Sequence, residues 1–117
     1  MRIPFRHGET ILHLAARKNW TALCQWLLRF GVDVNRTDVL GKTALHYAAQ
    51  HGATDAVQLL IEQGADFNAL DWKERTPLML AEGGHSEGAA MMLREEISLR
   101  DGQRIKGLKV LRHRTTK

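Results

Sequence analysis

The chain repeats its own sequence after 33 residues, and this repeat limits its fold more than any other feature does. Residues 8–40 and 41–73 align without a gap and share 13 identical positions, far more than chance would give. A third copy begins at Glu74, again 33 residues further along. Periods of this length are typical of solenoids, in which each unit buries its apolar side against its neighbours. The repeat therefore predicts one repetitive domain whose core lies between units.

Local signals inside each unit predict two short helices joined by a tight turn. The threonines suit helix caps, because their side-chain oxygens accept backbone hydrogen bonds, and the glycines suit the left-handed residue that ends a helix. The cap, turn and end positions are Thr10, Asn19 and Gly31 in the first unit and Thr43, Gly52 and Gly64 in the second. Segments 32–40 and 65–73 are too short and turn-rich for another helix, so they are predicted to be extended, hairpin-like connections.

The third unit follows the pattern less closely. Thr76 and Pro77 suit a helix start. The unit is predicted to lack one residue before Gly84, with Gly83-Gly84 serving as the conformationally free residues of its turn. Its polar residues 94–96 indicate a C-terminal cap. We predict a repeat domain at 1–102, with units at 8–40, 41–73 and 74–102, the last degenerate and cap-like, followed by a basic C-terminal tail at 103–117.

The second unit, GKTALHYAAQHGATDAVQLLIEQGADFNALD, resembles an ankyrin repeat almost position for position. Thr43 to His46 stand where that family has TPLH, and Gly64 to Asp66 match its closing GAD. The resemblance covers about residues 5–100. It implies an all-α, ankyrin-type solenoid of helix–turn–helix units with hairpin-like connecting loops. It also implies that His13 and His46 hold their own repeats together by hydrogen bonds.

The first unit opens close to the N-terminus and carries three aromatic residues, Trp20, Trp26 and Phe30. The spacing places Trp26 on the apolar stripe of the second helix, beside Leu27. No N-terminal cap is evident. Either these aromatic side chains fold over the open end of the first unit, or the chain lacks an upstream repeat; the second interpretation is favoured.

The sequence offers little for catalysis or metal binding. Cys24 is the only cysteine, which excludes an internal disulfide and a CxxC zinc site, and it falls on a helix's apolar stripe, where a thiol is inert. His46 and His51 are five residues apart, which does not place two ligands on one helix face. There is no G-x-S-x-G motif and no phosphate-binding loop. We therefore predict no enzyme activity, no metal, no cofactor and no small-molecule substrate.

Two sequence features bear on localisation. The single cysteine suits a reducing compartment. No apolar run suits a signal peptide or a membrane span. Cytoplasmic and/or nuclear localisation is the prediction.

The resemblance implies that a protein partner lies along the concave side, touching the hairpin tips and the exposed positions of the first helices. Trp72 is notable because tryptophan is enriched among interface hot spots. The alternative is that Trp72 only lies across Val39 and stiffens the tips. The predicted contact positions are Arg17, Lys18, Thr37, Val39, Leu40, Lys42, Gln50, His51, Leu70, Trp72, Lys73 and Arg75, with Arg6, His7 and Glu9 ahead of them.

The basic character of the chain belongs to its tail. Residues 1–93 hold 9 basic and 10 acidic residues, whereas residues 94–117 hold 8 and 3. The spacing of Ile105, Leu108 and Leu111 permits a basic amphipathic helix. The tail is predicted either to contact nucleic acid, acidic membrane or the import machinery, or to be a solvating extension or linker. The contacting side chains would be Arg104, Lys106, Lys109, Arg112 and Arg114.

The function predicted from these features is a non-enzymatic protein–protein interaction module. One alternative is a terminal fragment of a larger ankyrin repeat protein whose activity lies elsewhere. Another is an adaptor that contacts nucleic acid or acidic membrane through the basic tail.

Overall fold

The computed structural model describes the backbone of residues 10–108 and the side chains of residues 10–100, and it consists of three stacked helix pairs. The helices are α1 (Ile11–Arg17), α2 (Thr21–Arg29), α3 (Ala44–Gln50), α4 (Thr54–Glu62), α5 (Pro77–Gly83) and α6 (Glu87–Leu108). Between residues 10 and 108 there is no β-strand. The all-α repeat class predicted from the sequence is confirmed.

The first helix of every pair starts at a capping box. Thr10, Thr43 and Thr76 each accept a hydrogen bond from the backbone N–H three residues further on, as predicted. In the second unit the Thr43 N–H donates to Nδ1 of His46 at 3.0 Å, so Nε2 carries the imidazole proton. Nε2 then donates to the Arg75 carbonyl at 2.9 Å, which ties α3 to the connection that follows α4. In the third unit the Sδ atom of Met79 replaces the imidazole and accepts from the Thr76 N–H at 3.4 Å.

The turn between the helices keeps its register in all three units. Asn19, Gly52 and His85 lie 33 residues apart and have φ angles of 62°, 71° and 59°. The predicted loss of one residue before Gly84 is therefore wrong. Gly84 has a φ angle of −91°, so the left-handed residue of this turn is a histidine and neither glycine. Gly84 is required for a different reason, since a Cβ there would lie 2.7 Å from the Gln50 carbonyl oxygen.

The core lies between repeats, as predicted. Helices α1, α3 and α5 pack in one row, and α2, α4 and α6 pack in a second row behind them. Ala15, Ala16, Ala48 and Ala49 are fully buried, because small side chains let adjacent first helices approach closely. Trp26 was expected on the apolar stripe of α2, but its side chain is exposed; that prediction is wrong.

The last helix passes the position that was expected to separate domain and tail. Helix α6 continues through residue 102 and ends at Leu108, so the first part of the predicted tail has a helical backbone. Within the described part of the chain, no helix combines the length and apolar character that crossing a membrane requires.

Candidate functional site

The connections between repeats form two tips, the first at residues 37–42 and the second at residues 70–75. In the first tip the Asp38 N–H donates to the Lys42 carbonyl at 3.0 Å. Oδ1 of Asp38 accepts from the N–H groups of Leu40 and Lys42 at 3.0 and 2.9 Å. The buried Asp38 therefore stabilises the tight reversal of the chain, and the tip between Asp38 and Lys42 projects outward.

The second tip is built in the same way around Asp71. Its N–H donates to the Arg75 carbonyl at 3.0 Å, and its Oδ1 accepts from the N–H groups of Lys73 and Arg75 at 2.9 Å each. The Arg75 guanidinium adds an ion pair with Oδ2 at 2.9 Å. Burial alone would raise the pKa of Asp71, but these hydrogen bonds and the nearby guanidinium outweigh it and hold the pKa below its ordinary value. The carboxylate therefore stays ionised and keeps the tip closed.

The two tips are joined directly by their backbones. The Trp72 N–H donates to the Leu40 carbonyl at 2.8 Å. Gly41 makes this approach possible, because it has a φ angle of 74° and a Cβ there would lie 3.2 Å from the Trp72 nitrogen. The tips are thus positioned by fixed hydrogen bonds and by a close contact that no larger residue allows.

The tips present an exposed apolar group made of Val39, Leu70 and Trp72. The Val39 and Trp72 side chains are 71% and 60% exposed, and Leu70 is also exposed, whereas Leu40 is half-buried. Nζ of Lys73 lies 4.9 Å from the centroid of the Trp72 ring. Of the predicted contact residues, the structure therefore places Val39, Leu70, Trp72 and Lys73 together at the tips, and Thr37 is exposed beside them.

The concave side beside the tips is centred on a residue that the sequence argument missed. Tyr47 is buried, its hydroxyl donates to Oδ2 of Asp38, and its ring packs edge-on against His13 at 5.6 Å. The Arg17 guanidinium and Nζ of Lys42 lie 5.8 and 5.1 Å from the ring centroid. Tyr47 stands one residue after the TALH motif, so a search for unusual residues beside the motif could have found it.

Lys42 was predicted to be an exposed contact residue, and that exposure is wrong. Its side chain is buried against Tyr47 and donates to Oε1 of Gln50 at 3.3 Å. Burial lowers the pKa of Lys42, the Arg75 charge lowers it further, and Asp71 and Asp38 partly offset both effects. Lys42 therefore contributes its positive charge to the concave side while its stem serves as packing.

The remaining predicted positions extend the concave side across the first two units. Lys18 and His51 are exposed, and Arg17, Gln50 and Arg75 are half-buried. Burial, followed by the charges of Arg17 and Lys42, lowers the pKa of His51, so this imidazole is neutral in a positively charged setting. In the third unit the equivalent positions are Gly83 and Gly84, which offer no side chain.

Two observations on residues 10–100 bear on metal binding and on the thiol. The side chains described there contain no cluster of three or more histidine, cysteine, aspartate or glutamate residues able to hold a metal. Cys24 is fully buried, and burial raises the pKa of its thiol to about 11, which confirms the prediction of an inert thiol. Arg104 and Lys106 belong to the last turns of α6. The described residues do not include these two side chains. They also do not include any part of Lys109, Arg112 and Arg114, or of the N-terminal residues Arg6, His7 and Glu9.

Stacked helix pairs with rigid projecting tips define a helical repeat protein of the solenoid type. Residues 12–103 match the family model for ankyrin repeats in 3 copies. The chain belongs to the ankyrin repeat family, and the predicted resemblance is confirmed. Ankyrin repeats are generally protein–protein interaction modules, and domains built from them are typically non-enzymatic. None of the curated proteins matches the chain.

Proposed function

We propose that this protein is a non-enzymatic interaction module that holds a protein partner on the two tips and the adjoining concave side. The observation that carries the proposal is Trp72, a large apolar side chain that is 60% exposed on a tip fixed by backbone hydrogen bonds. An exposed tryptophan on a rigid support loses little conformational freedom when a partner covers it. With Val39 and Leu70 beside it, Trp72 forms the apolar centre of the proposed interface.

The charges around this apolar centre favour a partner segment that combines acidic and apolar side chains. Arg17, Lys18 and Lys73 lie on the concave side or at its edge, and Lys42 adds positive charge from below the surface. Glu74 is the exposed acidic residue of the second tip, whereas Asp38 and Asp71 are buried and occupied by hydrogen bonds, and Asp71 also pairs with Arg75. Complementary charge in the partner would speed association and fix its orientation.

Replacing Trp72 with alanine tests the proposal. We expect Trp72→Ala to reduce partner capture about tenfold or more, since central aromatic anchors contribute most of the energy of an interface. The melting temperature should change little, because the side chain is exposed and its backbone hydrogen bond is retained. The measurement is quantitative mass spectrometry of proteins captured by wild-type and variant chains, with thermal unfolding followed in parallel.

Met91→Ala is the matched control, since Met91 is an equally exposed apolar side chain on α6, away from the tips. This variant should capture the same partners as the wild type. If Trp72→Ala instead lowers the melting temperature and leaves capture intact, Trp72 only stiffens the tips and the proposed interface is wrong.

The basic tail is a second candidate for function, favoured by the six basic residues from Arg104 onward and by the continuation of α6 into this segment. Contact with nucleic acid through the tail would weaken steeply with added salt. An electrophoretic shift assay on the full chain and on a chain truncated after Gly102 checks this: no shift with either chain would exclude nucleic acid. We also propose a cytoplasmic and/or nuclear location, because a single buried thiol suits a reducing compartment.

A further inference from the structure

The open side of the first repeat carries apolar residues at positions that are covered in the later repeats. Ile11 is 37% exposed, whereas its equivalent Ala44 is 1% exposed. Trp20 is 49% exposed, whereas its equivalent Ala53 is 4% exposed. In the second and third repeats these positions are covered by the preceding repeat, since α1 packs on α3 and α3 on α5. We call the exposed group Ile11, Trp20, Trp26 and Phe30 the N-terminal face.

Phe30 departs furthest from the repeat pattern, and Trp26 lies near it on α2, where the later repeats have Leu59 and Met92. The Trp26 and Phe30 rings are tilted by 52° with centroids 4.5 Å apart, and the two residues are 56% and 70% exposed. The positions equivalent to Phe30 are polar, Gln63 and Glu96, so the repeat itself does not call for an aromatic ring there. The two rings line a hollow on α2 together with Ala22, Gln25 and Arg29. An exposed aromatic group around a hollow is typical of an interaction site.

The charged side chains placed beside this face are basic, Lys18 and Arg29. Arg17 lies over Tyr47 on the concave side, and the exposed Asp33 follows α2 in the next connection. Lys18 lies over the Trp20 ring at 5.9 Å, and Arg29 borders the hollow beside Trp26. The face is therefore apolar in its centre and basic at its edges, which favours an occupant with acidic edges.

Two occupants supplied by the chain itself are disfavoured. A symmetric dimer through this face would bring Lys18 and Arg29 of one copy close to those of the other. Head-to-tail stacking would press the face against the far end of another copy, where Glu82 and Arg94 form an ion pair at 2.9 Å. Covering that pair would remove two charges from water without a new partner for either.

The chain's own first nine residues are also a poor match, since they carry Arg2 and Arg6 against a single acidic residue, Glu9. Helix α4, which packs against α2 from the other side, shows that α2 accepts an amphipathic helix as a neighbour. Its sequence TDAVQLLIE combines an apolar stripe with Asp55 and Glu62 and has no basic residue.

We propose that the N-terminal face is a second protein-docking surface, which accepts a partner helix with an apolar stripe and acidic edges, stacked on α2 as α4 is. The surface shares Lys18 with the edge of the concave side but none of its aromatic residues, so variants at Trp26 and Phe30 test it independently of the proposed function. Trp26 and Phe30 would contact the apolar stripe of the partner, and Lys18 and Arg29 its acidic edges.

The test uses the indole N–H signals of the 3 tryptophans in a nitrogen–proton correlation spectrum of the full chain. The probe is a synthetic amphipathic helix of about 16 residues, long enough to be partly helical, with a leucine stripe bordered by glutamate. We expect the probe to shift the Trp20 and Trp26 signals and to leave the Trp72 signal in place. A matched peptide with lysine for glutamate should bind at least about tenfold more weakly, because charge would then oppose docking.

Trp26→Gln/Phe30→Gln should bind the glutamate peptide at least about tenfold more weakly, whereas Trp72→Ala should bind it as the wild type does. The second repeat has glutamine, Gln63, at the position equivalent to Phe30, so the fold should tolerate glutamine there. Equal binding of the two peptides, unchanged binding by the double variant, or no shift at millimolar peptide would each overturn the proposal. Two further results would also overturn the proposal: a dimer of the wild type that the double variant abolishes, and a change in the Trp20 and Trp26 signals on Ile3→Gln/Phe5→Gln. Either result would show that the chain covers its own face.

Discussion

Gly83 and Gly84 follow one another at the end of α5, and their surroundings differ. A Cβ at Gly84 would lie 2.7 Å from the Gln50 carbonyl oxygen and 3.2 Å from that of Leu80, and both are backbone atoms that cannot move aside easily. A Cβ at Gly83 would have no neighbour within 4 Å, and Gly83 lies inside the helix. The two positions therefore form a matched pair for separating close packing from backbone freedom.

We expect Gly84→Ala to lower the free energy of unfolding by about 1–3 kcal/mol, since the third repeat must shift away from the second to admit a methyl group. Gly83→Ala should raise it by up to about 1 kcal/mol, because alanine favours a helix over glycine. Chemical denaturation of both variants measures these changes. Equal effects of the two substitutions would show that the contact with Gln50 does not restrict Gly84.

His46 couples stability to pH. Burial lowers its pKa from the ordinary value of 6.5, more than the Arg75 carbonyl and the Asp71 charge raise it. The folded protein therefore holds His46 neutral at a pH where the unfolded chain binds a proton. The contribution is fully present above pH 6.5 and is lost as pH falls below that value.

His46→Met is the natural test, because the third repeat already has Met79 at this position. The variant should lose about 0.5–1.5 kcal/mol of stability at neutral pH, since the Arg75 carbonyl loses one of its two donors and keeps only the Asp71 N–H. Its stability should then fall less than that of the wild type between about pH 7 and pH 5, because the coupled proton is gone. Denaturation curves across this range measure both effects. Parallel pH profiles would mean that His46 does not carry the coupling.

Sequence reasoning was reliable where a residue's role is local, and it failed where the role depends on another repeat. The threonine caps and the left-handed Gly31 and Gly64 follow from neighbouring residues alone. The need for Gly84 depends on the Gln50 carbonyl, which belongs to the preceding repeat. Contacts of that kind leave no mark in the spacing of one repeat.

At the scale of elements, helices α2 and α4 begin without a side-chain cap of their own. Helix α4 has Ala53 at its N-cap, and no side chain of its own caps it. Oδ1 of Asn19, in the turn of the first repeat, accepts from the Ala56 N–H in the first turn of α4 at 3.0 Å. The start of α4 is therefore capped by a residue of the preceding repeat, which links the two units as well as satisfying a backbone donor.

We expect Asn19→Gly to destabilise the protein by about 0.5–1.5 kcal/mol, although glycine occupies the equivalent position in the second repeat and suits the positive φ angle. The reason is that glycine loses the hydrogen bond to Ala56. The free energy of unfolding measured by denaturant is the readout. Asn19→Asp, which keeps an acceptor oxygen, is the control and should stay close to the wild type. A more stable Asn19→Gly would show that the backbone angle matters more than the bond between repeats.

The order and type of the elements could be predicted from the repeat, and their extent could not. The caps set where α1, α3 and α5 begin, and the prediction of helix pairs is confirmed. The sequence leaves the repeat pattern after Leu93, so the repeat did not predict that α6 continues to Leu108, although the spacing of Ile105 and Leu108 permitted a helix in the tail. At the candidate site, the exposed Trp72 could be predicted from the family pattern, whereas the hydrogen bond that fixes it to Leu40 joins two repeats and could not.

At the scale of the whole molecule, the two ends of the stack differ in character. At the C-terminal end, Glu82 and Arg94 stand where the second repeat has the buried apolar residues Ala49 and Ile61. Each side chain of this pair is about half exposed, so the ion pair itself adds little to stability. The pair disfavours the stacking of another apolar surface on this end, because covering it would remove two charges from water. The N-terminal end, with its exposed aromatic residues, has no such pair among the described residues.

This asymmetry predicts that Glu82→Ala/Arg94→Ile turns the protein into a stacking unit, because it restores the residue types that interior repeats bury. The new apolar end should accept the N-terminal face of another copy, and repetition of that unsymmetrical contact gives open chains rather than closed dimers. Sedimentation velocity should show a mass that rises with concentration, whereas the wild type stays monomeric. Adding Trp26→Gln/Phe30→Gln at the opposite end should return the variant to a monomer. If the variant with all four substitutions still associates, the copies meet through another surface. If Glu82→Ala/Arg94→Ile stays monomeric, the ion pair is not what prevents further stacking.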